Sequence, residues 1–419
     1  MPRISERALL LLLAAIQCTH IMDFMVMMPL GPQLMRELGL NPGQFSGLVA
    51  AYTLAAGVVG MMAAPFIDRV DRRPLLLLTY AGFLVGTLAC GLAHTHGTLL
   101  AARLVCGMFG GISGTLVMAI VADVVPPERR ASGMGVVMTA FSAAAALGVP
   151  AGLFLAQKFR WEMPFFVVAG AGALVWLALL RFLPAVRGHL SVPPSERRGA
   201  FLALFRNANA GWAMLFMAAM VLGHMTIVPL LSPFLVRNTG FPESKLFLVY
   251  LVGGVLTIFT SPLVGRLADR YGRMRVLAVL IAIACAVILL ISHSGPAPMA
   301  LMLVKTGLFF VFASGRFVPA QAISSLAVSS AQRGGFMSLS TCVRDLASGA
   351  AAGLAGWVVV EGSDGLMHHF DRLGWIAVSA SLIGLWIGSR VRAVDDSPGM
   401  TLSKQPPSQK APPSPIGVA

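Results

Sequence analysis

The chain has 419 residues, 57% of them hydrophobic and only 11% charged, with a mean hydropathy of +0.81, whereas a soluble protein carries about 25% charged residues. Apolar runs of about 20 residues recur, each long enough to cross a bilayer as a helix, and the alternating segments of about 10 residues that a membrane β-barrel requires are missing. The net charge of +14 lies mostly in short turns between these runs, as topology signals do, which argues against a nucleic-acid partner.

The N-terminal MPRISER leads into an apolar stretch that runs to about Leu30 and contains Asp23. It is too long for the hydrophobic region of a signal peptide, so it reads as the first membrane helix. Twelve spans are expected: 8–30, 44–66, 75–93, 98–122, 132–155 and 164–183, then 211–236, 247–266, 276–293, 299–324, 337–360 and 373–391. The stretch 184–209, with Arg187, Arg197, Arg198 and Arg206, reads as a cytoplasmic linker, and 394–419, rich in Pro, Ser and Lys, as a disordered tail. The expected architecture is an all-α polytopic membrane protein, with one six-helix bundle over 1–183 and another over 210–393. Counting Arg181, Arg266 and Arg390 at the span ends, twenty-one Lys and Arg fall on the face that holds both termini. Six fall on the other: Arg36, Lys158, Arg160, Arg237, Lys245 and Arg372. The positive-inside rule then predicts a plasma (inner) membrane protein with cytoplasmic termini. The five cysteines lie inside apolar segments without metal spacing and read as small core residues.

The two halves repeat. IDRVDRRP at Ile67–Pro74 returns as ADRYGRMR at Ala268–Arg275, so that Asp68 matches Asp269, Arg69 matches Arg270, and Arg72 matches Arg273. Pro29, in MPLGP, matches Pro229, in VPLLSP; ERR at Glu128–Arg130 matches Gln332 and Arg333; and Arg103 is answered by Lys305. Such repetition points to a transporter with two halves in parallel topology. No G-x-x-x-x-G-K-[ST] loop is present, so the energy source is expected to be an ion or solute gradient with no cofactor.

With these motifs on view, the chain resembles the major facilitator superfamily over nearly its whole length, and more narrowly its twelve-helix drug and sugar efflux branch of proton antiporters. The charged loops resemble that family's G-x-L-A-D-R-x-G-R-[RK] signature. Ala64 and Asp71 stand where the family prefers glycine, and the second copy, from Gly265 through Gly272, is closer to the pattern. The helix-4 signature R-x-x-x-G appears as Arg103 and Gly107, followed by Gly110 and Gly111. The helix-5 antiporter signature is reduced to Gly148-Val149-Pro150-Ala151-Gly152. The resemblance implies a monomer in the lipid bilayer that moves a small molecule by alternating access, in exchange for protons.

Asp23 and Arg103 are expected at similar depth, as a proton-coupling pair: an arginine stays charged and can hold a carboxylate ionised, then release it. The competing reading is a permanent structural ion pair. His20, one turn from Asp23, is expected to donate a hydrogen bond to a neighbouring backbone group rather than relay protons. His224, Lys305, Arg316, Arg344 and Asp345 are cavity candidates, with Asp345 placed to neutralise Arg316. If an arginine faces the cavity unpaired, an anionic substrate is favoured. Asp68, Arg69, Arg72, Asp123, Asp269, Arg270 and Arg273 are expected to form a cytoplasmic gate, with Asp68 and Asp269 near the N-termini of the following helices. Gly107, Gly148, Pro150 and Gly152 are expected to allow close helix packing and a kink, and Met22, Met25, Met27 and Met28 either a pliable pocket or plain packing. The expected activity is proton-coupled efflux of a small amphipathic or sugar-like compound. The alternatives are uptake or facilitated diffusion of an organic anion, and a non-transporting sensor on the same fold.

Overall fold

Among the described residues of the computed structural model, ten helices are long and apolar enough to cross a membrane. Two further rods, 130–158 and 333–358, complete twelve. The structure describes residues 5–67, 69–126, 129–187, 204, 206–329 and 332–394. Asp68, Glu128, Arg197, Arg198, most of the expected linker and nearly all of the expected tail lie outside these residues.

Span 1 (Glu6–Val26) starts at an N-cap in which Ser5 Oγ accepts from Ala8 N. It breaks over the turn that holds Pro29 and resumes as Gly31–Glu37. Span 7 repeats this break, as Ala208–Met225 and Val228–Thr239, with Pro229 in the first turn of its second piece. Proline is tolerated there because the first-turn N–H groups lack helical acceptors anyway. The other spans of the first half are 2 (Pro42–Ile67), 3 (Arg72–Gly91), 4 (His96–Val124), 5 (130–158) and 6 (Met163–Phe182). Those of the second are 8 (Phe247–Tyr271), 9 (Arg273–Ser292), 10 (299–325), 11 (Arg333–Val358) and 12 (Phe370–Gly388). A short antiparallel hairpin, β1 (Val360–Glu361) and β2 (Met367–His368), joins the last two. Both ends of the described chain fall on one face, termed the basic face below.

Two spans are interrupted by a π turn. Span 5 carries Ala144–Gly148 immediately before Pro150, and span 10 carries Phe310–Ser314. Pro150 offers no N–H to the turn before it, which the wider turn accommodates.

Small residues set the contact between halves. Span 2 lies on span 11, where a Cβ on Gly57 would come within 2.7 Å of Leu346 and one on Gly349 within 2.5 Å of Leu54. Towards the face opposite the termini, a Cβ on Gly43 would come within 3.0 Å of the Gly356 carbonyl oxygen, and one on Gly31 within 2.8 Å of Pro233. There Arg36 pairs with Glu243 at 2.5 Å and Gln157 Nε2 donates to the Glu243 carbonyl. The two halves are therefore clamped together on that face.

Candidate functional site

The first polar centre lies inside the N-terminal half. Arg103 Nη1 on span 4 is 2.8 Å from Asp23 Oδ2 on span 1, and neither side chain has any exposed surface. Taking these charges out of water costs several kcal/mol per ion, and only their close contact offsets it. The Arg103 guanidinium also stands 4.4 Å from the ring centre of Tyr52, on span 2, which stacks on Phe24. Span 2 comes this close because Gly107 and Gly111 have no side chains: a Cβ there would lie 2.2 Å from the Tyr52 carbonyl oxygen and 2.4 Å from that of Ala56. Gly148 and Gly152 act likewise for span 5, facing Met22 and Val26. Met27 and Met28 are core residues, which favours packing over the pocket reading for those two.

His20 bonds through Nε2 to Ser113 Oγ at 3.0 Å and lies edge-on to Tyr80 and Phe83. Its partner is thus a side chain on span 4, in place of the expected backbone group. Among the described residues it makes no hydrogen bond to Asp23.

The second centre lies inside the C-terminal half. Arg316 on span 10 is fully buried, and its Nη1 donates to Ser381 Oγ on span 12 at 2.7 Å. His224 stacks on Phe309 at 5.5 Å and meets Phe317 edge-on, while Arg316 lies 5.9 Å from the same Phe317 ring. The expected neutralisation of Arg316 by Asp345 is not formed. Asp345 is only partly buried and has no ion pair among the described residues. Arg344 donates to Thr341 on its own helix. Lys305 departs from the cavity set: its Nζ reaches Ser294 Oγ at 2.8 Å and the Leu290 carbonyl, at the turn between spans 9 and 10. A long aliphatic stem lets lysine carry its charge to a helix end in this way.

On the basic face, Arg72 is buried and pairs with Asp123 at 2.5 Å, tying the start of span 3 to the end of span 4. Arg69 is exposed beside Phe66. The carboxylate that caps span 3 is Asp71, a residue seen in the sequence only as a departure from glycine. It accepts from Arg73 N and Val186 N and pairs with Arg187 at 2.7 Å, so the chain after span 6 is fastened to the loop after span 2. Partial burial opposes its ionisation. The Arg187 contact and the two backbone N–H bonds outweigh that and hold its carboxyl below the usual range.

The second loop differs from its expected form. Asp269 and Arg270 lie in the last turn of span 8, and the reversal is made at Gly272 with φ +96°, a conformation that suits glycine. Asp269 therefore does not cap span 9. It sits at the unfavourable helix end and lies 3.9 Å from Arg273 in an exposed pair, with Arg270 exposed beside Tyr271. A cavity of about 420 Å³ opens here, lined by Asp269, Gly272, Arg273, Ile323, Leu326 and Val391.

Asp71→Ala is expected to cost about 1 kcal/mol through the lost cap. Because the folded carboxyl titrates below its unfolded value of about 3.9, that contribution is present in full above this pH and disappears as pH falls through the lower folded value. Melting curves of wild type and variant at pH 7 and pH 3 check it, with a gap at the first and a narrower one at the second.

Comparison with known proteins agrees with this architecture. The family model described as Major Facilitator Superfamily matches residues 13–352. The MFS-type transporter YceJ of Bacillus subtilis (strain 168) is 25% identical over 255 residues, covering 61% of this chain and 65% of that protein. YhcA of the same organism is 34% identical over 144 residues, covering 34% of this chain and 27% of that protein. The alignments thus span less than two thirds of either relative. Among solved structures, a bacterial homolog of the human lysosomal transporter Spinster, inward-facing and occupied, superposes with a TM-score of 0.72 at 16% identity. That match covers 93% of this chain and 98% of the other, a likeness of fold alone. The chain belongs to the major facilitator superfamily of membrane transporters.

Proposed function

We propose that this transporter exports a small amphipathic compound in exchange for protons, by alternating access of its two six-helix halves. In this reading the basic face is cytoplasmic, in the plasma (inner) membrane. The observation that carries the proposal is the Asp23–Arg103 pair, sealed from water at 2.8 Å. A proton delivered to Asp23 cancels its charge and loosens Arg103, and deprotonation restores the contact. Such an exchange of partners gives two helix arrangements whose balance a proton can shift. Transport into proteoliposomes with and without an imposed pH gradient tests the reading. Gradient-dependent accumulation supports exchange, gradient-independent equilibration supports a facilitator, and no movement across a broad panel supports a sensor.

The clamp on the opposite face belongs to this cycle, since Arg36 and Glu243 must separate for that side to open. An exposed pair is worth about 0.2–1 kcal/mol. Arg36→Ala is therefore expected to speed labelling of a cysteine at the buried Leu30 by up to about fivefold. A membrane-impermeant thiol reagent on a variant otherwise free of cysteine measures it, and an unchanged rate removes the pair from the gate.

A further inference from the structure

The two polar centres differ in their charge balance. Asp23 compensates Arg103, whereas Arg316 has no carboxylate within ion-pair distance among the described residues. Arg316 has no exposed surface, and its Nε and Nη2 atoms are buried without hydrogen-bond partners. Those two nitrogens form one edge of the guanidinium, the edge that grips a carboxylate side-on with two parallel hydrogen bonds. The remaining nitrogen, Nη1, is held by Ser381, so the group is braced with its bidentate edge free. His224 Nδ1 is also buried without a partner, and His224 and Arg316 flank the same Phe317 ring. A lone buried cation is costly, and one fixed by a hydroxyl with its fork idle is built for a counter-charge that arrives from outside the chain.

We propose that Arg316, with Ser381 and His224, receives a carboxylate of the transported solute. This rests on the transport reading and narrows it to amphipathic acids. The site is closed in this state. The π turn Phe310–Ser314 ends two residues before Arg316, and such turns are points where a helix can change its winding. Movement of span 10 there, with displacement of Phe317, opens the free edge of the guanidinium to the space between the halves.

The test is melting of the purified full-length protein with benzoate, salicylate and octanoate, each against its neutral amide, and with sodium sulfate. At saturation at least one carboxylate is expected to raise the melting temperature by about 3 °C, its amide and sulfate much less. Arg316→Gln should abolish the difference while itself melting no lower than wild type, because the substitution removes an uncompensated buried charge. The Asp23→Asn/Arg103→Met double variant, which removes both charges of the other half together, should keep the carboxylate response, so a failure of proton coupling does not mask this result. The inference is overturned if carboxylates and amides act alike, if none acts, if sulfate acts as strongly as the carboxylates, or if the response survives in Arg316→Gln.

Discussion

Asp23→Asn is expected to reduce pH-gradient-driven accumulation of solute to the background of empty liposomes, a loss on the order of 100-fold. The amide keeps the shape of the carboxylate and can still accept from Arg103 Nη1, but it carries no charge to be neutralised by a proton. It also leaves Arg103 fully buried without a counter-charge, and breaking a buried pair in this way costs about 3–5 kcal/mol. Loss of function and loss of stability therefore coincide in this variant, and a second substitution separates them. Arg103→Met combined with Asp23→Asn removes both charges and should recover most of the stability, because a buried ion pair is worth little more than apolar groups of similar size. Gradient-driven accumulation should stay absent in the double variant. Recovery of accumulation along with stability would reduce the pair to a structural element.

Gly107→Ala should disable the protein through packing alone. The added Cβ would stand 2.2 Å from the Tyr52 carbonyl oxygen and 2.9 Å from its carbon. Both are backbone atoms, which cannot turn aside as a side chain can. Spans 2 and 4 must separate, and Tyr52 is the aromatic cover of Arg103, one turn away on span 4. Overpacking of this kind costs about 1–3 kcal/mol, and here it also loosens the Asp23–Arg103 centre. Gly114→Ala on the same helix is the control. Its nearest neighbour would be Gln17 Oε1 at 4.0 Å, so a change within about 0.5 kcal/mol is expected. Melting curves and transport rates of the two variants check this, with equal behaviour contradicting it.

Much of this was legible in the sequence because apolar helices make charge conspicuous. Asp23 and Arg103 could be paired by depth before any contact was visible, and Asp123 was a nameable partner for the loop arginines. Hydroxyl partners give no such signal. Ser113 and Ser381 are ordinary residues of membrane helices until His20 and Arg316 are found beside them. The internal repeat was informative at Pro29 and Pro229, where spans 1 and 7 break alike, and misleading at Arg103 and in the second charged loop. Arg103 was matched to Lys305, yet Lys305 turns towards a helix end. The closer correspondence joins His20 and Ser113 to His224 and Arg316, each pair separated by about 200 residues. Asp71 was hidden for a different reason: its role depends on Val186 and Arg187, which only the return of the chain after span 6 brings near. Gly272 decided the second loop, since one residue of positive φ let span 8 run on through Asp269.

In the proposed cycle, proton movement and solute movement are coupled through Asp23. The most direct test is solute-driven proton flux in proteoliposomes that trap a pH-sensitive dye, with wild type and the Asp23→Asn/Arg103→Met double variant side by side. Solute added on one face should drive proton movement in the opposite direction through the wild type, and none through the variant. Proton flux of equal size in both would contradict the account.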